Sequence, residues 1–127
     1  MNALNKQSAK TMKALVALLA EEDYLKLDNK PNVYDPVHIE KVEPEYEFEE
    51  IYSLAHRYEM NGDFIASPLM TFGLKRGKFY PLSSRDDYSL RYYDALAEEV
   101  NLGMQKLVTE MANGWLSNIG VQQNIML

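Results

Sequence analysis

Residues 51–63 read IYSLAHRYEMNGD. Tyr52, Leu54, His56, Tyr58 and Met60 occupy alternate positions, which places them on one face of an extended strand with period two. Ten residues also suffice for a helix, so 51–60 has a competing helical reading. The β pattern around it favours the strand. Asn61-Gly62 follows immediately, and both residues accept positive φ, the backbone condition of a two-residue hairpin turn. Asp63 can bond the turn backbone through its own side chain. Leu69–Lys75 then returns with Met70, Phe72 and Leu74 in phase. Arg76-Gly77-Lys78 is a second turn, and Phe79–Ser83 a further short strand.

The same alternation extends upstream. Glu45-Tyr46-Glu47-Phe48-Glu49 sets acids against aromatics, the pattern of a half-buried strand, and its row of charges suits a sheet edge. Pro44 separates it from Val37–Val42, where Val37 and Ile39 share a face. Tyr24–Asp28 predicts a short strand carrying Leu25 and Leu27, followed by a turn at 28–31 and a loop over 32–36 between two prolines. At the start, Leu4, Met12, Leu15, Val16 and Leu19 trace one face at 3.6 residues per turn, with Lys6, Lys10 and Lys13 on the wet side. Asn5 or Ser8 caps this helix, and it ends near the acidic trio 21–23.

Downstream, Tyr93, Leu96, Val100, Met104, Leu107 and Met111 repeat at three and four and predict a second helix, capped by Asp87 or Ser89. Gly103 weakens it by about 1 kcal/mol relative to alanine. Asn113-Gly114 is read as its stop, with Trp115–Ile119 adding one turn that drops the indole onto the core. No pattern is visible over 120–127. The expected fold is one α+β domain spanning 1–127. An antiparallel meander of about five strands is flanked by an N-terminal and a C-terminal helix.

Composition narrows the function classes. An apolar fraction of 46% and a charged fraction of 25% are those of a folded globular chain. None of the 127 residues is cysteine, which removes disulfides, thiolate metal sites and a cysteine nucleophile, and favours a cytoplasmic setting. The run Ala14–Ala20 meets Glu21, Glu22 and Asp23, so Met1–Asp23 reads as part of the fold rather than a leader, and no membrane span is expected. A net charge of -6 opposes direct binding to nucleic-acid phosphates and favours a protein partner with a basic surface. A homo-oligomer is compatible with the sequence.

Chemistry-bearing motifs are sparse. No phosphate-cradling glycine loop, nucleophile elbow or calcium loop occurs, so no cofactor or metal is expected and an enzyme is the less favoured reading. His56, Glu59 and Asp63 form the sharpest cluster for acid–base or metal work, with Asp86 as a further carboxylate, and Asp86, Asp87 and a glutamate offer an oxygen-ligand alternative for magnesium or calcium. On a strand, however, residues three apart face opposite sides. His38, the second histidine, has no spacing that demands a metal. The acidic run Glu43, Glu45, Glu47, Glu49 and Glu50, joined by Glu40, is the most unusual local feature. On one strand face its carboxylates would stand about 6.5–7 Å apart and imitate a phosphate row. Tyr88 and Tyr92 are candidate contact aromatics, since tyrosine offers large area at low entropy cost.

The stretch from Ala55-His56 through Glu59, Asn61-Gly62-Asp63 and Pro68-x-Met70-Thr71-Phe72 resembles a family of uncharacterised bacterial, plasmid and phage proteins. Their pattern is A-H-Y-x-E-Q-N-G-D-x-x-x-D-P-x-M-T-F, followed by a Y-P step, here Tyr80-Pro81, and an acidic step, here Asp86-Asp87. The chain departs from that pattern at Arg57, Met60 and Ser67. The family is a domain of unknown function, so the resemblance transfers no activity. It implies an intracellular protein of a mobile genetic element. Together these readings lead to a non-catalytic interaction protein that binds a host or element protein through an acidic surface, a defence-system inhibitor being one such role. A small metal-dependent or acid–base enzyme using His56 and Asp63, and a small-ligand-binding sensor, are the alternatives.

Overall fold

Six strands form a single antiparallel sheet in chain order, each paired with its predecessor, in a computed structural model that describes residues 1–28, 36–96 and 100–122. They are β1 (Tyr24–Leu27), β2 (Val37–Val42), β3 (Glu50–Met60), β4 (Asp63–Lys75), β5 (Lys78–Asp86) and β6 (Arg91–Asp94). Helix α1 (Lys6–Leu19) precedes the sheet and α2 (Leu102–Gln122) follows it. The α+β meander with terminal helices is as expected, with one strand more.

The hairpin at 61–62 governs the register. Asn61 and Gly62 have φ of 54° and 86°, so the flanking residues Met60 and Asp63 pair directly. Arg76 and Gly77 repeat the device at 52° and 77° and bring Lys75 opposite Lys78. With both turns closed at two residues, β3, β4 and β5 align Tyr52 with Phe72 and Leu74 with Phe79. These side chains and Val37, Ile39, Leu54 and Met70 make the helix-facing core. From α1 it receives Met12, Leu15 and Leu19, and from α2 Val108, Ala112, Leu116 and Ile119. Fully burying each such side chain stabilises the fold by about 1.5–3 kcal/mol. Asn5 caps α1, its side chain accepting the Ser8 N–H at 2.8 Å.

The structure revises five expectations. Residues 45–49 are not a strand but a turn, with Tyr46 at φ 57°. Phe48 alone of the five is buried, so the alternation of acids and aromatics arose without a pleat. Tyr93, read as the first position of the second helix, lies in β6, paired with Ser84. That is the sixth strand. Helix α2 starts eight residues after it, capped by Asn101 rather than Asp87 or Ser89, through Asn101 Oδ1 accepting the Met104 N–H at 2.9 Å.

The stop at Asn113-Gly114 also fails. Asn113 Oδ1 accepts the Asn5 N–H at 3.0 Å, and the helix continues so that Leu116 and Ile119 are buried. Their burial outweighs the roughly 1 kcal/mol that a helical glycine costs.

The buried face of α2 is rotated from the periodicity. Gln105 and Thr109 are inside, whereas Leu107 and Met111 are 43% and 38% exposed. Gln105 is satisfied by the N-terminal segment, accepting from Asn2 N–H at 2.7 Å and donating to Asn2 O at 2.7 Å and Pro81 O at 3.0 Å. Most of the 28–31 turn, the 32–36 loop but for Pro36, and 123–127 of the tail lie outside the described residues.

Candidate functional site

The sheet face turned away from the helices is covered by two short loops, and a cleft lies between them. Phe48 folds back from the loop before β3 onto Gly73 of β4, where an added Cβ would stand 2.5 Å from its ring. It packs with Ile51, Leu82 and Leu96 as a second, smaller core. Tyr46 donates its hydroxyl to Leu96 O at 2.8 Å, tying this loop to the one after β6. Between them opens a cleft of ≈ 470 Å³. Its floor includes Val42, Ile51, Leu82 and Leu96, and its polar lining includes Glu43, Glu45 and Asp94. Among the described residues, no lysine or arginine lines it. On the floor Thr71 and Ser83 hydroxyls bond each other at 2.5 Å. One Asp94 oxygen accepts the Leu96 N–H at 2.9 Å.

The acidic run is thereby divided. Glu43 and Glu45 stay on the cleft. Glu47 is paired with Lys75, whose ammonium holds its carboxyl below the usual range by a hydrogen bond first and by charge second. Glu49 accepts the Arg76 N–H at 3.0 Å and secures the second hairpin turn. Glu50 takes a hydrogen bond from the Tyr52 hydroxyl and an ion pair from Lys41 at 3.5 Å, which together hold it low. Burial first, and Glu50 second, push the Tyr52 phenol up. A continuous phosphate-like row of carboxylates is therefore absent, because the segment meant to space it is a turn.

His56, Glu59 and Asp63 do not form a centre. His56 accepts the Trp115 indole N–H at Nδ1, 3.0 Å away, and the two rings meet edge to face, which fixes the histidine under α2. Glu59 and Asp63 are exposed beside the hairpin turn. Among the described residues no group of three or more His, Asp or Glu is placed to hold a metal ion. His38 bonds the Tyr24 hydroxyl on the sheet edge, and burial, reinforced by the Arg57 charge, holds its pKa below the ordinary value.

The remaining motif residues build the far end of the sheet. Asp86 Oδ1 accepts from Ser67 Oγ at 3.0 Å and from the Tyr88 and Ser89 N–H groups at 3.0 and 3.1 Å, an Asx-type turn into β6. Asp87 is held by Arg85 at 2.6 Å and accepts the Ala66 N–H at 3.3 Å. Serine at 67, where the resembling pattern has aspartate, donates to Asp86, a contact that a second carboxylate would turn into repulsion. Tyr88 and Tyr92 are 67% and 57% exposed, with the Arg85 guanidinium 5.6 Å from the Tyr92 ring centre. A family model described as a domain of unknown function, DUF6908, matches residues 6–125. The chain belongs to the DUF6908 family. No curated protein and no solved structure matches it.

In this DUF6908 chain, then, Asn61-Gly62, Met70, Phe72, Pro81 and Asp86-Asp87 serve turns, core and hydrogen-bonded corners. Of the cleft lining the sequence pointed only to Glu43 and Glu45 as site residues; Asp94, Leu96 and Leu82 are among those it missed. Asp94 and Leu96 were assigned to a helix. Leu82 lies on the cleft face by simple alternation with Phe79, and the register slip of β4 and β5 between Thr71 and Phe72 adds Ser83 beside it on the same face. Among the described residues no helix is long and apolar enough to cross a membrane.

Proposed function

We propose that this DUF6908 chain is a non-catalytic interaction protein that engages a basic protein partner through the cleft between the 43–49 and 94–96 loops. The observation that carries this reading is the cleft lining itself: Glu43, Glu45 and Asp94 over an apolar floor, with no lysine or arginine among the described lining residues. A lysine or arginine side chain matches that arrangement, its aliphatic stem lying on Leu82 and Ile51 and its charged head among the carboxylates. The net charge of -6 adds a long-range field that speeds encounter with a basic partner and repels nucleic-acid phosphates. The resemblance of the Ala55–Phe72 pattern to phage and plasmid proteins supports an intracellular, mobile-element setting, in which the partner is a host or element protein such as a defence or nucleic-acid-processing machine.

The test is a charge reversal. Glu43 and Glu45 are exposed, so Glu43→Lys/Glu45→Lys leaves the fold intact by thermal melt. Wild-type protein immobilised in bacterial lysate at low salt should retain a discrete basic protein that the double variant does not. That protein, once purified, should bind wild type with an affinity that falls as salt rises. Equal binding by both forms contradicts the proposal.

A further inference from the structure

A second cleft, ≈ 560 Å³, lies on the opposite side of the sheet, between α2 and the ends of β4, β5 and β6. Its volume is in the range of small-molecule sites. One wall is a stripe of α2, Leu107, Met111, Trp115 and Asn118, and the other carries Met70, Ser84 and Tyr93. Leu107 and Met111 are the apolar positions whose periodicity predicted burial, and they stand instead against this opening.

Three features give the cleft a chemistry. Arg91 lies at its margin and makes no ion pair with any described residue, although Asp86 is its register partner across the strands. Asp86, the carboxylate of the lining, is committed through one oxygen to three hydrogen bonds of the turn. Ser84 is 3% exposed, lines the cleft and makes no side-chain hydrogen bond among the described residues. Its hydroxyl is not among the sealed, partnerless polar atoms and can be reached from the cleft by a polar atom of a bound molecule. The Trp115 indole is held in place by its bond to His56, so the aromatic wall is preformed.

We propose that this cleft binds a small amphipathic organic anion, its apolar planar body between Trp115, Met111 and Tyr93, its acidic group on Arg91 and a polar atom on the Ser84 hydroxyl. The site is separate from the acidic cleft and does not depend on it.

Trp115 is the one tryptophan of the chain and reports directly on the cleft. The probe is 1-anilinonaphthalene-8-sulfonate, an aromatic anion of this class, titrated into the folded protein and followed by energy transfer from Trp115. Saturation at one equivalent is expected. Arg91→Gln should weaken binding about tenfold, the value of one charge-assisted contact. Leu107→Glu, which brings a like charge to the wall, should weaken it at least as much. N-phenyl-1-naphthylamine, the neutral analogue, should bind about tenfold more weakly than the sulfonate. Both variants alter exposed positions, and an unchanged melting temperature confirms that they fold. Non-saturating binding, equal affinity for the neutral analogue, or unchanged affinity in both variants overturns the proposal.

Discussion

The contact between Phe48 and Gly73 organises the acidic cleft, and Gly73→Ala tests it. The new methyl would stand 2.5 Å from Cγ and Cδ1 of Phe48, and the ring is the group that must yield. Phe48 is 6% exposed, so its displacement forfeits most of the burial of one large side chain. Phe→Ala in a core costs about 3–5 kcal/mol, and a surface loop that can settle sits at the low end. Alanine is favoured over glycine in a strand by about 0.5–1 kcal/mol, which leaves a net loss of about 2 kcal/mol. With an unfolding entropy of about 2.1 cal/mol/K per residue, a chain of 127 residues loses about 7 °C in Tm for that amount.

The same substitution made on top of Phe48→Ala meets no ring. It should then be neutral or stabilising by about 0.5–1 kcal/mol, giving a coupling between the two sites of about 2–3 kcal/mol. Thermal or urea melts of the four proteins measure this. Equal costs of Gly73→Ala in both backgrounds, or no cost in the wild type, would refute the packing described.

Gln105→Leu should destabilise by about 2–3 kcal/mol in urea melts despite its greater hydrophobicity, because the Asn2 N–H and the Pro81 carbonyl lose their Gln105 partner and the Asn2 carbonyl keeps only the Thr109 hydroxyl at 3.4 Å. His38 is held below its ordinary value of 6.5, so the folded state takes up the proton less readily than the unfolded chain. Its contribution is complete above that value and is lost as pH falls toward the folded pKa; His38→Gln should flatten the corresponding part of the urea-midpoint profile. Tyr52→Phe removes the hydrogen bond that does most to hold Glu50 low, and the Glu50 carboxyl should then titrate at higher pH by carbon-detected NMR.

The sheet was legible in the sequence wherever local chemistry and tertiary demand agree. Asn61-Gly62 and Arg76-Gly77 close their turns with the positive φ that those positions require, and the alternation of Tyr52-x-Leu54 and Met70-x-Phe72 matches the buried face. It was not legible where a long-range contact decides. Glu45–Glu49 alternates like a strand, yet Tyr46 adopts positive φ and Phe48 docks on a glycine 25 positions later. In α2 the buried polar face follows from Asn2, more than a hundred residues away. Of the sequence-level site residues, Glu43 and Glu45 line the acidic cleft, whereas Glu47, Glu49 and Glu50 are engaged by Lys75, Arg76 and Tyr52.

The most direct measurement on the acidic cleft is an amide chemical-shift titration of the folded protein with a short lysine- and arginine-containing peptide. Shifts confined to residues 42–46, 51, 71, 82–83 and 94–96, fading with added salt and absent in Glu43→Lys/Glu45→Lys, are the predicted result. Shifts scattered over every acidic patch of the surface, or persisting in the double variant, would contradict a cleft that selects basic side chains.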